Sequence, residues 1–235
     1  TSWTITGYPN YPGILSLTDI SLTTLSWDLE NLLGYLSIGN NASLVTLDLG
    51  SLLSVGNDLG IGNNALLVTL DLSSLSSVGS DLFVDHNALL VTLDLDLLLS
   101  LGHDLNVNDN ALLVTLDLSS LLSVGHDLGI FSNASLVTLS FPSLLSLGRD
   151  SYVNGNALSQ ASVDSVLATF AALDGTGGTT TWDNHTFDAS SGTNSPPSSA
   201  GFTDALTLTA RGNTVRVNTS FAITAAVADP VNTIT

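Results

Sequence analysis

The sequence predicts a mainly β fold, a right-handed β-solenoid of about six 23-residue coils with a small α/β cap on its C-terminal side. The first observation behind this prediction is a repeat, because the segment Asn64–Leu72 (NALLVTLDL) recurs almost unchanged every 23 residues. A fixed period of this length is typical of coils that stack and bury their apolar faces against one another. The copies begin at Asn41, Asn87, Asn110 and Asn133, with a weaker copy at Asn156.

The second observation is a pair of short alternating segments in each repeat. In the coil before Asn64 these are Leu47-x-Leu49 and Leu59-x-Ile61. Apolar residues two apart point to the same side of a strand, so each segment is predicted to be a strand with its apolar side chains in the core. The sequence therefore predicts two strands per coil.

Three polar or small columns recur at fixed places in the repeat. A glycine column, of which Gly56 is one member, lies between the two segments and is expected to permit a positive φ at a corner. The aspartate two residues later, Asp58 in this coil, is expected to accept hydrogen bonds from backbone N–H groups. The asparagine column is expected to form a buried ladder, since an amide can satisfy backbone groups in its own coil and in the next.

The composition limits the classes of partner. The chain has 21 acidic residues, three Arg and no Lys, for a net charge of −18. Such a surface repels nucleic acid and anionic lipid, so no nucleic-acid partner is expected, while cations or neutral glycans suit it. The alternative is that the charge only keeps a leucine-rich rod soluble. The chain also lacks Cys and any apolar run long enough to span a membrane, so neither disulfides nor membrane insertion is expected.

The chain divides into four segments. Residues 1–21 are predicted to be an N-terminal cap, in which Trp3-Thr4-Ile5 resembles a degenerate copy of Leu59-Gly60-Ile61. Residues 22–158 form the solenoid. Residues 159–218 are predicted to be an α/β cap, with a helix capped by Ser159 and stopped at Asp174-Gly175. The cap continues with a strand over 180–187, a short helix over 205–210 and a strand over 214–217. Residues 219–235 are read as a linker or a strand leading to a further segment.

The repeat resembles a known family. The pattern Gly-x-Asp-Leu-x-Ile-x-x-Asn-x-x-Leu-x-x-Leu-x-Leu, carried by 56–72 and its copies, is similar to the leucine-rich repeats of the receptor-L-domain-like branch. The order of elements after the repeats resembles caps of bacterial and phage-associated surface proteins. This resemblance implies an extracellular recognition module. Family receptors carry Cys, which this chain lacks, so the resemblance favours a microbial or viral surface protein, located on a cell or a virion.

The outer positions of the second segment vary most from coil to coil. The core positions remain aliphatic while these outer positions change, which is the pattern expected of a binding face on a solenoid. The alternative is random drift on a face that is under no constraint, which gives the same pattern. Aromatic rings there suit stacking on sugars or packing against a protein. The candidate ligand-binding residues are Phe83, Asp85, Asn106, Asn108, Phe131 and Tyr152.

A column of carboxylates is the candidate metal site. Stacked strands lie about 4.8 Å apart, so carboxylates in register repel one another, and Ca²⁺ would relieve that repulsion. The alternative is that the side chains splay into water and that no cofactor is bound. The column consists of Asp48, Asp71, Asp94 and Asp117. A second candidate, for a transition metal, is the pair His103 and His126 beside Asp104 and Asp127.

The expected function is recognition without catalysis. The sequence contains no nucleophile elbow and no glycine-rich phosphate loop, and its carboxylates repeat evenly where an active site would interrupt the pattern. We therefore expect an adhesion module that binds a glycan or a protein through one sheet face. The alternative is a structural spacer or fibre subunit, for which self-assembly would be needed. Ice binding is disfavoured, because Asp occupies one of the two outward columns that would need Thr.

Overall fold

The computed structural model describes residues 2–6, 9–176, 178–219 and 233–234. They form a β-solenoid with two helices. In chain order the elements are β1 (Ser2–Ile5), β2 (Asn10–Tyr11), β3 (Leu15–Thr18), β4 (Thr24–Trp27), β5 (Asn31–Leu32), β6 (Leu36–Gly39), β7 (Thr46–Asp48), β8 (Ser54–Val55), β9 (Leu59–Gly62), β10 (Thr69–Asp71), β11 (Ser77–Val78), β12 (Leu82–Asp85), β13 (Thr92–Asp94), β14 (Ser100–Leu101), β15 (Leu105–Asn108), β16 (Thr115–Asp117), β17 (Ser123–Val124), β18 (Leu128–Phe131), β19 (Thr138–Ser140), β20 (Ser146–Leu147), β21 (Ser151–Tyr152), α1 (Gln160–Ala171), β22 (Thr186–Ala189), α2 (Ser199–Ala210), β23 (Thr214–Val217) and β24 (Thr233–Ile234).

Each regular coil contributes one strand to each of three sheets, so the prediction of two strands per coil was wrong. The first sheet is ordered β1-β4-β7-β10-β13-β16-β19 and the second β2-β5-β8-β11-β14-β17-β20. The third is ordered β24-β23-β22-β21-β18-β15-β12-β9-β6-β3. Strands of the second sheet have only two residues, one of them pointing inward, as in Ser54–Val55. So short a segment shows no alternation in the sequence, which is why it was missed.

The predicted asparagine ladder is confirmed. Its six members, from Asn41 to Asn156, are at most 1% exposed. The Asn64 side chain accepts a hydrogen bond from the Asn41 backbone N–H at 3.0 Å and donates one to the Ile38 carbonyl at 3.0 Å. The same pattern repeats along the column, so each amide joins two coils. Aliphatic side chains of all three sheets fill the space beside the ladder and are almost fully buried.

The glycine column does not provide the positive φ that the sequence predicted. Positive φ occurs instead at the residue before each ladder asparagine, for example at Asn63 and Asp109. The glycines are needed for a different reason: a Cβ on Gly102 would lie 2.0 Å from the carbonyl oxygen of Gly79 in the preceding coil. Any side chain there would force two coils apart, so the column permits the close approach of neighbouring backbones.

The aspartate column beside it joins successive coils. Asp81 accepts a hydrogen bond at 2.8 Å from the backbone N–H of Asp104, one coil further on. Asp104 and Asp127 accept corresponding bonds at 3.0 Å from the N–H groups of Asp127 and Asp150. The expected bonds to backbone N–H groups are therefore present, and the donors belong to the neighbouring coil.

The N-terminal residues form an additional level of the solenoid. Strand β1 pairs with β4 in the first sheet, with Trp3 opposite Leu25. The prediction that Trp3-Thr4-Ile5 copies Leu59-Gly60-Ile61 was therefore wrong, because Leu59-Gly60-Ile61 lies in the third sheet and Trp3-Thr4-Ile5 in the first. Both segments alternate in the same way, so the sequence pattern could not tell them apart. Strands β2 and β3 continue the other two sheets.

The C-terminal side is closed by the predicted α/β cap. Ser159 caps α1 by accepting a hydrogen bond from the N–H of Ser162, and the buried face of α1 packs on the last coil. Phe170 of α1 contacts three aromatic rings at centroid distances of 4.7 to 5.6 Å. These rings belong to Phe141, Trp182 and Phe187.

Two boundaries in the cap differ from the predicted ones. The strand predicted over 180–187 is observed over Thr186–Ala189. The residues before it belong to a loop in which Trp182 is fully buried and its indole N–H donates a hydrogen bond to the Arg149 carbonyl. Helix α2 begins six residues earlier than predicted, at Ser199, where Ser198 caps it. Strand β23 was predicted correctly. Of residues 219–235, Thr219 and Thr233–Ile234 are described, and the latter pair antiparallel to β23; the rest of that predicted linker lies outside the described residues.

Candidate functional site

A shallow trough lies on the outer face of the third sheet, towards its N-terminal side. It encloses about 560 Å³ and spans five successive strands, from β3 to β15. Four of the six predicted ligand-binding residues line it: Phe83, Asp85, Asn106 and Asn108. The other lining residues are Thr18, Ser37, Gly39, Asn40, Gly60, Gly62 and Asn63.

The strand register explains how these side chains meet. Phe83 lies between Gly60 and Asn106 on neighbouring strands, and Asp85 lies between Gly62 and Asn108. Strands β12 and β15 therefore carry the larger polar and aromatic side chains at one end of the trough. Its middle is floored by glycines, which leave the backbone of β9 uncovered. The outer face of the sheet is therefore higher at β12, which carries side chains, than at β9, where the outer positions are glycines.

Sequence reasoning did not identify the rest of the lining. The residues from β3, β6 and the turns after β6 and β9 are small or polar, and none carries a distinctive chemical group. The signal that could have found them is glycine at both outer positions of the same strand, Gly60 and Gly62. Two glycines at the outer positions of one strand, beside an aromatic residue on the next strand, predict a depression in the outer face of the sheet that the aromatic ring borders on one side.

The other two predicted ligand-binding residues lie on the same face but outside the trough. Phe131 and Tyr152 are half-buried, as Phe83 is. The Phe131 ring covers Gly129, and the Tyr152 hydroxyl donates a hydrogen bond to Asp150 at 2.9 Å. Burial and that hydrogen bond raise the pKa of Tyr152 to about 12, so its hydroxyl stays protonated across the physiological range.

The trough carries no positive side chain. Its one ionisable lining residue is Asp85, whose carboxylate lies 2.8 Å from Nδ1 of His86 on the rim. The three arginines of the chain are at 149, 211 and 216, and none of them lines the trough. In a chain of net charge −18, this makes the trough unfavourable for an anionic ligand.

The carboxylate column lies on the first sheet. Asp48 pairs in register with Asp71, and Asp94 with Asp117. In each residue one carboxylate oxygen accepts a hydrogen bond from the backbone N–H two residues later, at 2.9 to 3.2 Å. The side chains therefore form Asx turns and are held by their own backbone.

A further carboxylate, that of Asp96, lies beside this column. The charge on Asp94, followed by burial, raises the pKa of the neighbouring Asp96 carboxyl above its usual value. Within the described part of the chain, no group of three or more His, Asp or Glu side chains is arranged to hold a metal ion. A Ca²⁺ ion at the column stays a prediction of the sequence.

This column yields a testable expectation about salt. Because one oxygen of each carboxylate is already engaged by backbone, we expect salt to act by screening, which does not depend on the identity of the ion. The melting temperature should then rise equally in CaCl₂, MgCl₂ and NaCl at matched ionic strength. A larger rise in CaCl₂ that disappears in the Asp71→Asn/Asp94→Asn double variant would contradict this and establish a Ca²⁺ site, since specific binding adds stability by mass action.

The two histidines of the second metal hypothesis stack on one another. The rings of His103 and His126 are parallel, with centroids 4.5 Å apart. Each Nδ1 lies 3.9 Å from a carboxylate oxygen of the preceding coil, Asp81 for His103 and Asp104 for His126. The two Nδ1 atoms therefore face different carboxylates, and the structure does not bring Asp127 into this pair.

Exposed aliphatic columns are a feature that sequence reasoning did not single out. One column of five valines, each 39 to 44% exposed, runs along the corner before the first sheet, with exposed leucines beside it. Their positions in the repeat were visible in the sequence, but a leucine-rich pattern does not show which members face solvent. The columns comprise Val45, Val68, Val91, Val114 and Val137, and Leu66, Leu89 and Leu112.

These features define a repeat protein of the β-solenoid class with an open, polar trough on one sheet. Neither helix among the described residues is long and apolar enough to cross a membrane. No family model, no curated protein and no solved structure matches this chain.

Proposed function

We propose that this chain is a non-catalytic recognition module that binds a neutral glycan in the trough of the third sheet. The observation that carries the proposal is the juxtaposition of Phe83 with Asp85, Asn106 and Asn108 at the end of a glycine-floored depression. This arrangement combines one flat apolar surface with several hydrogen-bonding groups, as sites for small polar ligands do.

The chemistry of the lining favours a sugar. The ring of Phe83 offers an apolar face on which the C–H side of a pyranose can stack. The amides of Asn106 and Asn108 can donate to and accept from hydroxyl groups, and the Asp85 carboxylate can accept from them. The absence of any arginine from the lining favours an uncharged sugar over a sialylated or sulfated one.

The setting of the protein is part of the same proposal. The likeness of its repeats to leucine-rich surface proteins, together with the lack of Cys, supports a microbial or viral surface protein. We place it on a cell or virion surface, where it would contact a glycan, or a protein carrying one, on a target. The even repetition of the carboxylates supports binding without catalysis.

Replacing Phe83 by Ala is expected to weaken binding of a neutral glycan at least tenfold, the loss of about 1.4 kcal/mol that one stacking ring provides. A glycan array would identify the ligand, and titration calorimetry would measure the change. Phe131→Ala is the matched control, because its ring lies on the same face outside the trough, and it should bind like the unmodified chain. Equal binding by both variants, or preferential binding of anionic glycans, would contradict the proposal.

Filling the trough gives an independent check of its position. A Cβ on Gly60 would have the Leu36 carbonyl oxygen, 4.0 Å away, as its nearest neighbour, so a side chain fits there without moving the backbone. The Gly60→Leu variant should therefore fold and fail to bind the glycan. An unchanged melting temperature together with unchanged glycan affinity would place the site elsewhere.

A second candidate function is a structural spacer or fibre subunit. The exposed valine and leucine columns favour it, because a regular apolar surface in five successive coils is suited to lateral assembly. Electron microscopy of the native source would separate the two functions. Laterally packed rods support the spacer, and isolated distal tips support the recognition module.

A further inference from the structure

The trough of the third sheet is several times longer than one sugar unit. Its lining comes from five successive strands, so it extends for about 19 Å at the usual strand spacing of about 4.8 Å. It runs across the strands, along the direction in which the coils stack. A pyranose in an extended chain is about as long as one strand spacing. A single sugar unit would therefore contact one or two coils and leave most of the trough unused.

Every coil along the trough contributes a side chain that can hydrogen-bond to a sugar hydroxyl. The strands are paired in register, so these groups recur once per strand spacing. Hydroxyls and amides can both donate and accept, and a carboxylate accepts. In coil order the side chains are those of Thr18, then Ser37 and Asn40, then Asn63, then Asp85, and then Asn106 and Asn108.

Two of these groups are identical and are one coil apart. Asn40 and Asn63 follow β6 and β9, and both are exposed. Both have a φ of 57°, so the backbone turns in the same way at each and directs the two Cα–Cβ bonds alike. Their amides can therefore form one row along the edge of the trough. Two equal groups at one strand spacing suit a ligand that itself repeats at that spacing.

The floor of the trough favours a flat ligand. The outer positions Gly39, Gly60 and Gly62 on β6 and β9 have no side chains, and the ring of Phe83 lies beside them on β12. A β-1,4-linked chain of pyranoses is extended and ribbon-like, so it can follow this floor from coil to coil. An α-1,4-linked chain curves into a helix and would leave the floor after a few units.

We propose that the trough binds an extended, neutral β-1,4-linked polysaccharide, with successive sugar units on successive coils. The inference rests on the proposed function, because it names the class of glycan that the same site takes. Phe83 stacks on one unit, Asn106 and Asn108 bond to the unit on one side of it, and Asn40 and Asn63 bond to the units on the other side. The site therefore recognises the interior of a chain and does not need a terminal sugar.

Titration calorimetry of the 1–235 chain with sugar oligomers of increasing length tests this proposal. The probes are β-1,4-linked oligomers of glucose, of N-acetylglucosamine, of mannose and of xylose, each with two, four and six units. We expect at least one series to bind, and its tetramer to bind at least about tenfold more tightly than its dimer, because each added unit reaches another coil. The α-1,4-linked glucose hexamer is the control for linkage, and it should bind at least about tenfold more weakly than the hexamer of that series.

The double variant Asn40→Gly/Asn63→Gly tests the row of amides. Glycine adopts a positive φ readily, so this variant removes both amides and keeps the turns. It should bind the hexamer at least about tenfold more weakly, with an unchanged circular dichroism spectrum. Ser132→Gly is the matched control, because Ser132 also has a φ of 57° at the same place in the repeat and does not line the trough. This variant should bind like the unmodified chain.

Several results would overturn the proposal. They are a tetramer that binds no more tightly than the dimer, an α-1,4-linked hexamer that binds as tightly as the β-1,4-linked one, and an unchanged hexamer affinity in the double variant. If none of the four series binds, but the chain binds a terminal or branched sugar on the glycan array and loses it in Phe83→Ala, this inference fails and the proposed function stands. If no glycan of any kind binds, both fail.

Discussion

Replacing Asn110 by Ala is expected to lower the free energy of unfolding by about 4 kcal/mol. The Asn110 side chain is fully buried in the asparagine ladder. It accepts a hydrogen bond from the Asn87 backbone N–H at 3.2 Å and donates to the carbonyl oxygens of Val84 at 2.8 Å and Asn108 at 3.1 Å. Alanine leaves the Asn87 N–H without this partner, and a buried, unpaired group costs about 1–3 kcal/mol. It also removes one hydrogen bond from each of the two carbonyls, at about 1 kcal/mol each, although the Asn108 carbonyl keeps the bond that it accepts from the His86 N–H at 3.1 Å.

Urea unfolding followed by circular dichroism would measure this change. Asn57→Ala is the matched control, because Asn57 is exposed in a turn of the same solenoid, and its replacement should change the free energy of unfolding by less than about 0.5 kcal/mol. A loss at Asn110 no larger than the loss at Asn57 would mean that the freed backbone groups find other partners. The ladder would then not be the main polar link between coils.

Replacing Arg211 by Ala is expected to cost about 3–5 kcal/mol, the usual result of removing one partner from a largely buried charged network. The Arg211 side chain is 18% exposed. Its Nε donates to Asp183 at 2.7 Å, Nη1 to the Ala171 carbonyl at 3.1 Å, and Nη2 to the carbonyls of Leu173 and of Trp182, the latter at 3.0 Å. One side chain therefore ties the end of α2 to the end of α1 and to the loop before β22.

Urea unfolding followed by circular dichroism would measure the loss, because the chain has three tryptophans and their fluorescence does not report on Trp182 alone. Arg211→Lys should recover little, because an ammonium group cannot reproduce the planar fork of donors. Arg216→Ala is the control: its guanidinium lies 3.7 Å from the Asp188 carboxylate and its side chain is 38% exposed, so its removal should cost less than about 1 kcal/mol. Equal losses at Arg211 and Arg216 would contradict the structural role proposed for Arg211.

Much of the fold could be predicted because every coil repeats the same environment. The asparagine ladder was predictable from one residue type at one spacing, since only a buried amide explains a polar residue held constant among aliphatic ones. Helix α1 was predictable from Ser159 and the helical spacing of its apolar residues. The beginning of α2 was not, because Gly201 breaks the local helical pattern. A Cβ at Gly201 would lie 2.9 Å from Cβ of Pro197 and closer still to a carboxylate oxygen of Asp164 on α1, so glycine favours the close packing of α2 on α1.

The candidate site was predictable in part. Variation at the outer positions of one strand column pointed to the face that carries the trough, and Phe83, Asp85, Asn106 and Asn108 line it. Its depth depends on Gly60 and Gly62 lying beside those residues on a neighbouring strand. Phe131 and Tyr152 belong to the same columns but lie further along the sheet, and a column alone does not show where a depression ends.

The period, the stacked coils and the buried ladder could be predicted from patterns repeated along the chain, and the C-terminal cap from the change of pattern after Asn156. The third sheet, the level to which Trp3 belongs and the reason for the glycine column became clear only from the folded chain. In each of these cases the deciding contact joins residues about one coil apart. Gly102 illustrates this, because its lack of a side chain matters through a carbonyl oxygen 23 positions earlier, at Gly79, which no local pattern reveals.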